Sequence, residues 1–162
     1  MTNVRITPTD NGPYQPSIDP PVRRLDLTPE AAIAVVESFM QEVWAARNPS
    51  AVDRFVTEDF VITSAGVDIT GRENFKAWVA GFQTKIADLN FETIETFANA
   101  TGSRVSTRFR VTGRNNGIFG LPADDKPIAM TGNAILAVTP TGKLAHNWIE
   151  RNAFELYNQL QG

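Results

Sequence analysis

The sequence contains no cysteine. That removes disulfides, thiol nucleophiles, iron–sulfur clusters and thiolate zinc sites together. It contains one histidine, His146, so a multi-histidine metal site is excluded as well. Any chemistry is therefore expected to need no metal and no other cofactor. No apolar run approaches the ~20 residues of a membrane-spanning helix. The opening stretch MTNVRITPTDNGPYQPS has no apolar segment behind a basic one, as a secretion signal would. A cytoplasmic protein with no membrane partner is the expectation. Basic charge is scarce too: 15 Lys+Arg against 18 Asp+Glu leave a net charge of -3. Such a balance offers no field to attract a phosphate backbone, so nucleic acid is not an expected partner.

What is present is the composition of one globular domain: 162 residues, 42% hydrophobic and 20% charged. Residues 1–27 hold Pro8, Pro13, Pro16, Pro20 and Pro21 among polar residues, and read as a Pro-rich tail that is flexible or arm-like. The domain is expected over 28–162. Thr28-Pro29-Glu30 suits a helix start, with Thr28 as cap and Pro29 where its missing N–H costs nothing. Ile33, Val36, Phe39, Met40, Val43 and Trp44 then recur at helical spacing to about Arg47. A short second helix is expected after Ser50, a strand at Phe60–Thr63, and a third helix after Gly71 with Phe75, Trp78, Phe82 and Ile86 on one face.

From Leu89 the period becomes alternating, and four strands are predicted at about 89–98, 103–113, 127–138 and 143–153. In the second of them Val105, Thr107, Phe109 and Val111 share one face, while Arg104, Arg108 and Arg110 share the other, with Glu92 and Glu95 as available partners. Three helices covering one side of an antiparallel sheet make an α+β fold. The last hairpin can be put in register by its turn. Pro140 cannot adopt the positive φ of a two-residue type I′ turn, whereas Thr139–Lys143 suits a three-residue loop with Gly142 in the left-handed position. Pairing Thr139 with Lys143 sets Leu136 across from His146, Ala134 across from Trp148 and Gly132 across from Glu150. These even-numbered residues then face inward with Met130 and Leu144, and Asn133, Asn147 and Arg151 face outward.

This order of elements resembles the nuclear transport factor 2-like superfamily, and within it the SnoaL-like polyketide cyclases and ester cyclases. The likeness rests on Asn48–Phe60, on Gly71-Arg72-Glu73-Asn74-Phe75, on Phe119-Gly120-Leu121-Pro122 and on His146-Asn147-Trp148, and covers nearly all of 28–162. It implies a cone: a curved sheet wrapped around helices as a half barrel, with an apolar pocket inside, often in a homodimer. The acidic position from which such cyclases take their base corresponds to Ala134, a histidine of many relatives to Thr63, and another to about Arg114 or Asn115. The resemblance thus suggests a cyclase or isomerase working without that base on a small, largely apolar, polyketide- or terpenoid-like substrate. A non-catalytic binding or assembly subunit and an epoxide hydrolase-like enzyme are the alternatives.

Three groups are candidates for catalysis. His146, inward by the register argument, has an ordinary pKa suited to proton transfer, or is simply a hydrogen-bonded core or rim residue. Glu150 lies two pleats further on the same face, as a base raised by burial or as a rim carboxylate. Asp68, in the loop before the third helix, overhangs the mouth or serves only its turn. The candidate pocket wall comprises Met40, Trp44, Thr63, Trp78, Phe109, Phe119, Met130, Ala134 and Trp148, whose aromatic members offer a stacking surface for a flat ligand.

Overall fold

The computed structural model describes residues 27–162. Helix α1 (Pro29–Phe39) begins as its sequence dictates, with the Thr28 hydroxyl accepting the Ala31 N–H at 3.1 Å and Pro29 in the first turn. It does not run on as an α-helix. Met40–Ala45 forms a π-helical turn, closed by bonds from Ala46 N to Gln41 O (2.8 Å) and from Asn48 N to Val43 O (3.1 Å). A 3₁₀ turn, Pro49–Ala51, leads into the single turn α2 (Val52–Phe55), with no side-chain cap from Ser50. Strands β1 (Val56–Ser64) and β2 (Val67–Thr70) precede α3 (Arg72–Thr84). Strands β3 (Ile86–Ala98), β4 (Arg104–Asn115), β5 (Pro127–Val138) and β6 (Leu144–Arg151) follow, and α4 (Ala153–Gln161) ends the chain.

The six strands form one curved, unclosed sheet in the order β2-β1-β6-β5-β4-β3. Neighbours are antiparallel except for β1 and β6, which run parallel. The α+β half barrel expected from the sequence is therefore present. In topology three details differ: β2 and α4 are additional elements, and the sheet is not wholly antiparallel. Residues 1–26 of the expected tail lie outside the described residues, and Leu27 already packs on the core.

The core fills the concave side, where α1, its π-helical extension and α3 pack against the sheet. Phe39, Phe60 and Phe75 are fully buried there, with ring centroids of Phe60 and Phe75 4.6 Å apart. On β4, Val105, Thr107, Phe109 and Val111 are buried, and the arginines lie on the convex face, as alternation requires. Arg110 pairs with Glu92 at 2.8 Å across the β3–β4 ladder.

The β5–β6 hairpin departs from expectation at one residue. Its turn is as predicted: Thr139 N donates to Lys143 O (2.8 Å), Gly142 has φ 78°, and Val138 pairs with Leu144. A bulge then intervenes, so that Ala137 pairs with His146, Leu136 with Asn147, Ile135 with Trp148, Asn133 with Glu150 and Gly132 with Arg151. Ala145 is the extra residue. A one-residue shift turns over every side chain beyond it. Asn147 and Ile149 are buried, Arg151 enters the cone, and His146, Trp148 and Glu150 stand on the convex face.

Candidate functional site

The interior of the cone narrows to a cavity of about 20 Å³, room for one or two waters. Its helical wall is Met40 and Trp44 from the π-helical turn and Trp78 and Phe82 from α3. Its sheet wall is Phe91, Phe109, Val111 and Ile149. Two polar side chains complete it, Asn147 and Arg151.

Local sequence explains this convergence. In the π-helical turn the Val43 carbonyl accepts from both Asn48 N and Gln83 Nε2 (2.8 Å), which ties the Met40–Trp44 segment to the end of α3. Trp44 meets Trp78 and Phe82 edge to face at 6.1 and 5.7 Å, and stacks on Phe91 at 5.7 Å. Phe91 stacks in turn on Phe109 at 5.1 Å. Opposite, Gly132 makes room for two side chains. A Cβ there would come within 2.5 Å of the Phe109 ring and 3.0 Å of the Arg151 stem.

Asn147 is 1% exposed, and its amide oxygen has no hydrogen-bond partner among the described residues. A buried amide left unpaired is costly, so this group is set for a partner that comes from outside the fold. The Arg151 guanidinium lies over the rings of Trp78 (5.6 Å) and Phe82 (5.3 Å) and donates to Ser64 Oγ at 3.0 Å. Burial pushes its pKa down, which Glu150 on the opposite face partly offsets. Among the described residues no carboxylate lies within 4.0 Å of it. The cavity therefore presents aromatic walls, one cation and one unused amide oxygen, a set able to orient a flat molecule and stabilise negative charge on its oxygen.

Of the residues expected to line a pocket, Met40, Trp44, Trp78 and Phe109 do so. Met130 and Ala134 are fully buried on the concave face but belong to the packed core. Phe119 lies outside the cone, 36% exposed and edge-on to Tyr157 at 6.1 Å. The three acid–base candidates do not reach the cavity. Glu150 is exposed opposite Asn133 on the convex face.

His146 and Asp68 do meet, but on the convex face and through Thr63. The Thr63 hydroxyl donates to Asp68 Oδ1 at 2.6 Å and lies 2.8 Å from His146 Nε2. Because its one hydrogen goes to the carboxylate, Nε2 is the donor to Thr63, and Nδ1 is left bare. The imidazole stacks on Trp148 at 3.8 Å, and Arg104 lies 5.5 Å over the same indole. Burial lowers the His146 pKa; Asp68 raises it and Arg104 lowers it. Asn147 and Arg151 are the site residues that the sequence reading put on the wrong side. From His146 to Arg151 both faces of β6 carry one apolar residue and two polar ones, so alternation does not choose between them.

Among the described residues no three acidic, histidine or cysteine side chains cluster to hold a metal ion, and no helix is long and apolar enough to cross a membrane. No curated protein shows significant sequence similarity to the chain. Solved structures of similar fold include a protein named as a SnoaL-like polyketide cyclase from Jannaschia sp. CCS1, at 15% identity and TM-score 0.72, over 78% of this chain and 89% of that one. A polyketide cyclase-like protein from Xanthomonas campestris pv. campestris matches at 22% identity and TM-score 0.71, over 81% and 97%. SalBIII, an epoxide hydrolase/cyclase-like enzyme of pyran ring formation in polyether salinomycin, matches at 18% and 0.65, over 77% and 93%. The model of the SnoaL-like polyketide cyclase family itself matches residues 34–160. With that match spanning the sheet, its helices and the cavity between them, the chain belongs to the SnoaL-like polyketide cyclase family.

Proposed function

We propose that the protein is a cofactor-independent cyclase or isomerase that closes or rearranges a small, largely apolar substrate within the cone. The observation that supports it is the cavity, whose wall is aromatic and aliphatic apart from Asn147 and Arg151. Such a wall holds a flexible chain in one folded conformer, and this removes much of the entropic part of a ring-closure barrier. The guanidinium then meets an oxygen that becomes negative only as the reaction proceeds, the condition for raising rate and not merely affinity. His146, Glu150 and Asp68 have no part in this reading, since all three stand outside the cone. The protein works as a homodimer joined through the convex face of its sheet.

The test is a simple closure that yields a fluorescent product. In 1-(2-acetylphenyl)propan-2-one water takes a proton from the acetyl methyl, the enolate carbon attacks the side-chain ketone, and loss of water from the ring gives 3-methyl-1-naphthol. The protein is expected to speed this closure by ~10²-fold or more, with the gain lost in Trp78→Ala and Arg151→Met. Chelators are expected to leave the rate unchanged. A second reading, a binding subunit without chemistry, is favoured by one observation: among the described residues no carboxylate or imidazole lines the cavity. Saturable binding of the diketone with no acceleration would establish that reading and dismiss the first.

A further inference from the structure

We infer that Arg151 selects for ring compounds carrying an anionic oxygen, a carboxylate or an enolate, and that it does so by giving up its own seat on Trp78 and Phe82. This rests on the reading of the cone as the ligand site. The cavity of about 20 Å³ is too small for a ring as it stands. Of the two polar side chains that line it, Arg151 is the long one, and its charged end is the part that can swing clear. Its guanidinium lies over the Trp78 and Phe82 rings, the surfaces on which an entering aromatic ring would stack, and Ser64 Oγ is its one hydrogen-bond partner among the described residues. A ligand therefore enters by displacing it.

The charge of the ligand decides whether that exchange is favourable. A neutral ring takes the aromatic surface and leaves a desolvated guanidinium with less than it had. A cationic ring adds repulsion. A ring bearing an anionic oxygen replaces the lost stacking with a charge-assisted, bidentate pair, the strongest interaction a guanidinium makes. No carboxylate among the described residues competes for it. Asn147 gives a second, independent sign of a ligand. It is 1% exposed on the same wall, with an amide oxygen that no described residue satisfies. A hydroxyl at the far edge of the ring would supply the missing donor.

The experiment titrates benzoate, benzamide and benzylammonium into the protein while following the indole N–H signals by NMR. Trp44 and Trp78 line the cavity and Trp148 lies on the convex face, so it serves as an internal control. Benzoate is expected to shift the first two and not the third, and to bind at least ~10-fold more tightly than benzamide. In Arg151→Met, which keeps the apolar stem, that preference should vanish while benzamide binds as well as before or better. Arg151→Lys should keep part of it. 4-Hydroxybenzoate should bind more tightly than benzoate in the native protein and no more tightly in Asn147→Leu. Equal binding of all three charges, or a preference that survives Arg151→Met, would overturn the inference while leaving the cone as the ligand site. If no ring compound moves Trp44 or Trp78, the reading of the cone falls with it.

Discussion

At the scale of the residue, His146 shows how chemistry visible in a sequence can be real and yet misplaced. The imidazole does find Asp68 and Thr63, two other residues singled out beforehand, but on the wrong side of the sheet for catalysis in the cone. Its consequence is for stability. The folded state holds the imidazole below its usual pKa of 6.5, chiefly by burial, so the unfolded chain takes up the proton first. Stability from this site is therefore full above about pH 6.5 and is lost as the pH falls through the lower, folded value. The melting temperature should drop between pH 7.5 and 5.5 in the native protein and drop less in His146→Phe, as calorimetry at the two pH values would show. Gly132 makes a second point at this scale. Its missing side chain is occupied by the Phe109 ring and the Arg151 stem, so Gly132→Ala should cost about 1–3 kcal/mol by denaturant unfolding. The sequence shows a glycine in a strand, but not what presses on it.

At the scale of the element, helices and strands were legible wherever apolar spacing was long and regular: α1, α3 and the meander β3–β4–β5. What escaped was the irregular. The π-helical turn at Met40–Ala45 has the same apolar spacing as an α-helix, and its widened bonds leave no mark on composition. The bulge at Ala145 is a sharper case, because the turn chemistry that sets the register was read correctly and the error entered two residues later. Deleting Ala145 should restore the simple register and drive His146, Trp148 and Glu150 inward. The expected loss is about 3 kcal/mol or more, from an unpaired carboxylate in the core, with Arg151 lost from the cavity. Circular dichroism melts, together with the Trp44 and Trp78 indole shifts, would report both effects.

At the scale of the whole molecule, the convex face carries a row that crosses the sheet: Phe97, Ser106, Ile135, Trp148 and Thr63, each paired with the next. Phe97 is 57% and Ile135 47% exposed, apolar surface that a lone subunit leaves in water. The proposed homodimer covers it. Light scattering should give twice the subunit mass at micromolar concentration and the single mass for Ile135→Arg. The sequence points to this face by its arginines, of which Arg110 is engaged with Glu92 and Arg104 with the Trp148 ring. It could not show the apolar members of the row, Phe97, Ile135 and Trp148, which come from three different strands.

The parallel pairing of β1 with β6 carries a consequence for how the chain is made. Thr63 and His146 touch across 83 residues of sequence, and β6 is the strand that joins β2–β1 to β5–β4–β3. During synthesis the β3–β4–β5 meander can pair as it emerges, whereas β1 waits for the last strand with its edge open. A chain halted before Leu144 therefore holds two sheet fragments with unpaired edges and no Arg151, Asn147 or cavity. Ligand binding and resistance to aggregation should arrive together, as the eight-residue strand β6 takes its place in the sheet.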